Sequence, residues 1–174
     1  MTLAQRRTRG GGILQNGLNT TTKPTGRIRP ILRDRKTGRI KFIGKWANNV
    51  FTQVGKTAIA NRLGDIGAVA NEGIITYGAV GTGASTPSKN DIAMLAEHTR
   101  KVVAATAVVG QTLTVETFFA SAEGNDTLSQ FALFGEDAGA GADSGTMFDY
   151  ANFEVPFTKT ANETLTVEVE LIVA

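Results

Sequence analysis

The chain has 174 residues and no cysteine, with 41% hydrophobic and 20% charged residues. This length suits one domain with its own buried core, and the absence of cysteine excludes disulfides and thiolate metal sites. No apolar run approaches the ~18–20 residues of a membrane-spanning helix, and the basic N-terminus lacks the apolar stretch of a secretion signal, so we expect no membrane partner.

The formal net charge of +2 is unevenly distributed along the chain. Residues 1–65 hold 14 of the 18 Lys and Arg residues and only Asp34 and Asp65 as acids, whereas residues 66–174 hold 4 bases and 14 acids. Such asymmetry is typical of a nucleic-acid-binding arm, a membrane-facing arm or a tail that docks on an acidic surface. The chain carries such a surface itself, which predicts a head-to-tail homo-oligomer. A solvated N-terminus without a partner is the alternative.

Residues 1–26 show no periodicity and are predicted to form an extended basic arm. Gly10-Gly11-Gly12, the Asn/Thr stretch after it and Pro24 disfavour both helix and strand. The arm combines three arginines with the segment's apolar anchors. We predict that these side chains contact a partner: Arg6, Arg7, Arg9, Ile13, Leu14 and Leu18.

Residues 27–45 are predicted to form a basic hairpin. Two short basic and apolar runs flank the turn at residues 34–38, where Gly38 supplies the positive φ. Ile28, Ile40 and Phe42 are expected on one face, and Pro30 favours an edge strand because it lacks an N–H group. The hairpin cations complete the predicted partner interface: Arg27, Arg29, Arg33, Arg35, Lys36 and Arg39.

One short helix and a series of strands are predicted after the hairpin. The helix spans 52–63, with Thr52 as N-cap, Gly64 as its end, and an apolar face formed by Val54, Ala58, Ile59 and Leu63. A second helical turn is expected at 91–97. Strands are predicted at 74–80, 100–109, 111–119, 128–134, 148–157 and 165–173, the last with strict period-two alternation. The strands at 100–109 and 111–119 are expected to pair across a turn at Gly110. The fold class is therefore mainly β, a single β-sandwich or barrel-like domain over 27–174.

No motif in the sequence predicts catalysis, a cofactor or a metal. Lys56 and Thr57 follow Gly55 at a helix start, but a phosphate loop needs another glycine where Val50 stands. The loop after Gly81 lacks the third glycine of a dinucleotide site. His98 has no Cys or second His with which to bind a metal. The acidic residues of 136–144 resemble one half of a calcium-binding repeat, but the stacked neighbour that completes such a site is missing, so we predict a solvated loop. Since none of these motifs supplies catalytic residues, we also predict that the protein is not an enzyme.

Nucleic acid is the alternative partner for the basic residues. The arm and hairpin carry enough arginine for salt-dependent phosphate binding. They lack interleaved aromatic residues, because Phe42 and Trp46 come only at the end of the basic region, so a stacking platform is not supported. The acidic body also repels a duplex, and we therefore favour a protein partner.

Several blocks of the sequence resemble small structural proteins of tailed bacteriophages. Residues 77–88 (YGAVGTGASTPS), followed by Asp91 and Arg100-Lys101, are similar to a glycine loop of that family. Residues 114–119 (TVETFF), 122–125 and 131–134 (FALF) resemble its paired strands, and 148–167 its closing strands. The upstream helix, 55–63, also fits. The resemblance covers about residues 40–174, and it departs at Ser129-Gln130, where an acidic residue is expected.

The resemblance implies a building block of a virion that is assembled in the host cytoplasm. Such a protein would bind the major capsid protein as a cement or decoration protein, or it would bind tail or neck proteins as a tail, neck or baseplate component. A nucleic-acid-binding module is the remaining alternative. Fully extended, 26 residues span roughly 85–90 Å, enough for the arm to reach a neighbouring subunit.

Overall fold

The computed structural model describes residues 24–65 and 73–172. They form ten β-strands and one α-helix. In chain order these elements are β1 Thr25–Asp34, β2 Ile40–Ile43, β3 Ala47–Asn48, β4 Val50–Phe51, α1 Gln53–Gly64, β5 Ile75–Gly81, β6 Glu97–Val109, β7 Thr112–Phe119, β8 Thr127–Gly135, β9 Thr146–Thr158 and β10 Glu163–Ile172. Thr25 and Gly26, which were expected in the arm, already belong to β1.

The strands form one curled antiparallel sheet. Its order is β2-β1-β10-β7-β6-β5-β8-β9-β4, and β3 pairs with β1. The two ends of this path meet at residues 47–51, because β3 pairs with β1 while β4, two residues later, pairs with β9. The short segment joins the ends of the sheet into a barrel-like body, and the predicted mainly β fold is confirmed.

The interior is filled by the apolar faces of strands from around the whole sheet. In β10, Leu165, Val167, Val169 and Leu171 are buried in the main core, while the intervening Thr and Glu residues are half exposed. This is the period-two alternation that the sequence predicted for a half-buried strand. β10 lies between β1 and β7, and it pairs with β1 over ten residues.

Strands β5, β8 and β9 are covered on their outer face as well. A second apolar cluster forms there from Ala79, Met94, Phe134, Met147 and Tyr150. β8 is therefore buried on both sides, and its residues 130–135 show no alternation of burial. The chain between β5 and β6 and the chain between β8 and β9 supply this outer cover through Met94 and Ala138.

The hairpin of β1 and β2 differs from its prediction in two respects. Ile40 is 49% exposed, because the register shifts by a bulge between Leu32 and Arg33 and turns its side chain away from the core. β1 is not an edge strand, since β2 and β3 both cover its outer side. Pro30 is tolerated because β2 and β3 are separate pieces, and its carbonyl accepts a hydrogen bond from Gly44 N at 2.9 Å in the gap.

Helix α1 begins where the sequence predicted and buries part of the predicted face. Thr52 Oγ1 accepts a hydrogen bond from Gly55 N at 2.9 Å, which confirms the N-cap, and Asp65 ends the helix with a φ of 51°. Ala58 is buried and Ile59 is partly buried against the main core, as predicted. Val54 and Leu63 are exposed, so this half of the predicted apolar face is wrong. Gly55 sets the contact, because its Cα side lies directly against the Phe148 backbone of β9.

The helical turn predicted at 91–97 is also wrong. This part of the chain is irregular up to Glu97, where β6 begins. Asp91 does not cap a helix; its carboxylate accepts a hydrogen bond from Ser88 N at 2.8 Å and closes a turn. Met94, which lies within this segment, is buried and belongs to the outer apolar cluster. A tertiary contact therefore determines the local conformation here.

Candidate interaction surface

The turn between β1 and β2 is built around Asp34. Its carboxylate accepts hydrogen bonds from Lys36 N at 3.0 Å, from Thr37 N at 2.8 Å and from Thr37 Oγ1 at 2.9 Å. The hydrogen bonds from Thr37 lower the pKa of Asp34 below its ordinary value. Gly38 completes the turn with a φ of 70°. The Asp side chain thus organises a rigid loop rather than a frayed one.

Four cations surround this turn, and we call them the basic tip. Arg35, Lys36 and Arg39 are exposed and Arg33 is half-buried. None of them forms an ion pair with any residue that the structure describes. The acid within the turn, Asp34, is occupied by the hydrogen bonds from Lys36 and Thr37. The basic tip is therefore a surface of net positive charge on a rigid support.

The other two predicted hairpin cations have partners within the chain. Arg27 pairs with Glu170 and Arg29 with Glu168 across β1 and β10, each with its closest contact at 2.6 Å. Both guanidinium carbons also lie 4.5 Å from the centre of the Trp46 ring. The two arginines, the two glutamates and the indole form one stacked ladder, so these cations stabilise the sheet and are not unpaired contact residues.

Two further ion pairs fix the outer strand β2 and the chain that follows it. Lys41 pairs with Glu163 at the start of β10, and Lys45 pairs with Glu154 of β9 at 3.1 Å. The hydrogen bond between Lys41 and Glu163 lowers the pKa of the carboxyl and raises the pKa of the amine. The basic residues of the hairpin therefore fall into two groups, a paired group along the strands and the basic tip.

The predicted contacts of the arm lie outside the described residues. These are Arg6, Arg7, Arg9, Ile13, Leu14 and Leu18. The chain enters the described part at Pro24, and β1 then runs from Thr25 to the basic tip at Asp34. Ten residues of a strand extend about 30 Å, so the arm joins the body at the end of β1 opposite the basic tip. We call these the arm end and the tip end of the barrel.

The acidic loop at 136–145 is held by a buried ion pair. Arg100 forms a two-point contact with Glu97, both atom pairs at 2.6 Å, and both side chains are almost fully buried. The remaining guanidinium nitrogen of Arg100, Nη1, donates to Gly139 O at 3.2 Å and to Ser144 O at 2.9 Å, and the guanidinium group stacks on the Phe134 ring. Among the described residues no group of three His, Asp or Glu side chains is arranged to hold a metal ion.

The residues at which the phage resemblance departs have an internal role. Ser129 Oγ donates to Gly83 O, and Gln130 Nε2 donates to Ser85 O at 3.0 Å. Asn152 Nδ2 also donates to Ser85 O, at 3.1 Å. Gly83 has no room for a side chain, since a Cβ there would lie 2.4 Å from Gln130 Oε1. This network holds the glycine loop after β5 flat against the outer face of the sheet.

Two buried charged residues escaped the sequence analysis. Asp149 accepts hydrogen bonds from Leu133 N at 3.0 Å and from Asn49 Nδ2, and burial raises its pKa to about 7. Lys159 donates to Ala120 O at 3.0 Å and to Asn125 Oδ1 at 2.8 Å, and burial lowers its pKa. Their partners lie 34 or more residues away or are backbone atoms, so no local sequence signal marked these positions.

The chain has no recognised relative in the comparisons made with known proteins. No family model, no curated protein and no solved structure matches it. In the part of the chain that the structure describes, no helix is long and apolar enough to cross a membrane.

Proposed function

We propose that this chain is a structural protein of a tailed-bacteriophage virion. In this role it is a capsid cement or decoration protein that stabilises the shell. The family resemblance of residues 40–174 supports the proposal, and the observation that carries it is the basic tip. Four cations that form no ion pair with any described residue are presented on a rigid turn at one end of a well-packed body, which suits an acidic protein surface.

The partner in this proposal is a neighbouring virion protein, either the shell protein or a second copy of this chain. Charge complementarity between the basic tip and an acidic surface would steer association and fix orientation. Arg6, Arg7 and Arg9 of the N-terminal segment would add a second contact from the arm end. Two contact regions about 30 Å apart let one molecule bridge two neighbours.

The paired arginines favour a protein partner over nucleic acid. Arg27 and Arg29 are neutralised by Glu170 and Glu168, and together they cover Trp46. The two guanidinium groups thus occupy indole surface on which a base could stack, and of the six predicted hairpin cations only the four of the basic tip form no ion pair with a described residue. A nucleic-acid-binding module would instead show binding that falls steeply with salt concentration.

The first test is the number of copies of this chain in purified particles, measured against the major shell protein. A number comparable to that of the shell protein is expected for a cement protein that covers the lattice. A small fraction of that number would favour the alternative role in the tail, neck or baseplate. Absence from the particles would contradict the proposal and favour nucleic-acid binding.

A charge reversal tests the basic tip directly. The double variant Arg35→Glu/Lys36→Glu should fold normally and lose at least tenfold in particle incorporation, because both side chains are exposed and form no ion pair within the described part of the chain. The matched control is Lys56→Glu/Lys89→Glu, which changes the same amount of charge at exposed sites elsewhere. Equal incorporation of both variants would show that the basic tip is not the contact surface.

A further inference from the structure

The barrel wall has an opening between β5 and β6. The two strands pair from Gly81 and Glu97 only as far as Tyr77 and Val102. Beyond that point β5 stays with β8, while β6 continues along β7 alone. Residues 104–109 of β6 are all exposed and uncharged. Within the described residues this is an apolar sheet edge without the charges or prolines that usually protect one.

A continuous apolar groove leads from this opening to the point where the chain enters the barrel. One cavity of about 250 Å³ is lined by Pro24, Phe51, Ile59 and Leu171. A second, of about 280 Å³, is lined by Thr106 and Val115. The two cavities share three lining residues, Gly73, Ile75 and Leu113. We call this surface the apolar groove.

The N-terminal segment has the length and the chemistry to occupy the apolar groove. Pro24 lines it, so the segment starts at one end of the groove. The cross-strand row from Thr25 through Ile172 and Thr112 to Val109 spans three strand spacings, or about 14 Å. Six extended residues cover roughly 20 Å. Residues 10–22 carry no charge and contain Ile13, Leu14 and Leu18.

We propose that residues 10–22 lie in the apolar groove of their own chain. Leu18 fills the cavity beside Pro24, and Ile13 and Leu14 lie against the open edge of β6. A tether of a few residues gives the segment a local concentration in the millimolar range, which favours its own groove over that of another copy. Burial of the three apolar side chains offsets the cost of ordering the segment.

This docking does not depend on the proposed virion role, although it refines the predicted interface. It assigns Ile13, Leu14 and Leu18 to contacts within the molecule. Arg6, Arg7 and Arg9 are then presented beside the open edge of β6, where they remain available to a partner.

The absence of cysteine permits a direct cross-linking test in the full-length protein. The pair Leu18→Cys/Leu113→Cys is oxidised under mild conditions, and the product is identified on a non-reducing gel and by peptide mapping. The control pair is Leu18→Cys/Val155→Cys. Val155 is exposed and lies beside Pro30, within reach of an undocked segment. We expect the disulfide within one chain to form at least tenfold faster in the first pair.

Equal rates in the two pairs, or disulfides mainly between two chains, would overturn the proposal. The first result would mean that the groove is empty or is filled by residues 66–72, and the second that another copy fills it. Hydrogen exchange gives a readout without cysteines. Leu18→Ser should increase the exchange rate of the amides of residues 104–109 severalfold, and Leu18→Met should not. Unchanged exchange in Leu18→Ser would also count against docking.

Discussion

At the scale of single residues, Asp149 should make stability depend on pH. Its folded-state pKa is about 7, whereas the ordinary value is 3.8. Between these values the folded protein holds a proton that the unfolded chain has lost, so the free energy of unfolding falls as pH rises. The contribution is complete below about pH 4 and lost above about pH 7, and each pKa unit corresponds to about 1.4 kcal/mol.

Asp149→Asn should remove this dependence. In the variant, the Leu133 N–H still donates to the side-chain oxygen of residue 149. Asn49 can rotate its amide so that its Oδ1, which has no hydrogen-bond partner in the native protein, accepts from the new NH₂ group. At pH 8 we expect the variant to be more stable than the native chain by about 1–3 kcal/mol in urea unfolding, and at pH 5 to differ little. Asp137→Asn, at an exposed site, is the control. A parallel pH profile for the native chain and Asp149→Asn would contradict the assignment.

Lys159 is a buried cation, and its removal is expected to destabilise the protein, whereas the removal of the Asp149 carboxylate is expected to stabilise it at pH 8. Its ammonium group is the donor for two backbone carbonyls and for Asn125, so its removal breaks three partly buried hydrogen bonds and leaves a space where a buried side chain packed. Lys159→Ala should lower the free energy of unfolding by about 2–4 kcal/mol, whereas the exposed Lys89→Ala should change it by less than about 0.5 kcal/mol. Equal effects of the two substitutions in urea titrations would show that the hydrogen bonds of Lys159 contribute nothing to the free energy of unfolding.

At the scale of elements, the close packing of helix α1 on β9 decides whether a glycine-to-alanine substitution in the helix stabilises or destabilises the protein. Alanine has a higher helix propensity than glycine by about 1 kcal/mol, so propensity alone favours Gly55→Ala. A Cβ at this position would, however, lie 2.6 Å from Phe148 Cα. We expect Gly55→Ala to destabilise the protein by about 1–3 kcal/mol, because the backbones must separate.

The control for the packing of α1 on β9 is Ala60→Gly at an exposed site of the helix. It should cost about 1 kcal/mol by propensity alone. Thermal unfolding of both variants separates the two effects. A rise in the melting temperature of Gly55→Ala would show that the helix does not pack as closely on Phe148 as described.

The elements also show how far sequence patterns reach. The alternation over 165–172, the glycine turn between 100–109 and 111–119, and the Thr52 cap were correct because their signals are local. Gly110 has the positive φ of 61° that the predicted turn requires. Half of the predicted face of α1 and the turn at 91–97 were wrong, because a close approach to Phe148 and the burial of Met94 overrode local preference. Patterns of period 3.6 cannot report a partner that lies elsewhere in the chain.

The candidate surface was only partly predictable for the same reason. The sequence marked Arg27, Arg29 and the four cations of the basic tip as one group. It could not separate them, because Glu168 and Glu170 lie about 140 residues further along the chain. Only the pairing of β1 with β10 distinguishes the neutralised arginines from the basic tip.

At the scale of the whole molecule, the closed sheet predicts which truncations the fold tolerates. Residues 1–23 precede β1, so their removal leaves the pairing of β1 and β10 intact. We expect a chain that begins at Pro24 to keep its β-type circular dichroism spectrum and a cooperative unfolding transition. Loss of residues 10–22 should lower its melting temperature by several degrees, because the apolar groove is then uncovered.

A chain that begins at Arg33 is the matching case in which folding should fail. It lacks Ile28 and Leu32 from the main core and leaves an unpaired edge along β10. Without β1 the segment at 47–51 can no longer join the two ends of the sheet, so both halves of the barrel lose their closure. If the longer truncation folded as well as the shorter one, β1 would be an addition to the barrel rather than part of it. The contrast between the two truncations therefore tests whether the curled sheet unfolds as one cooperative unit.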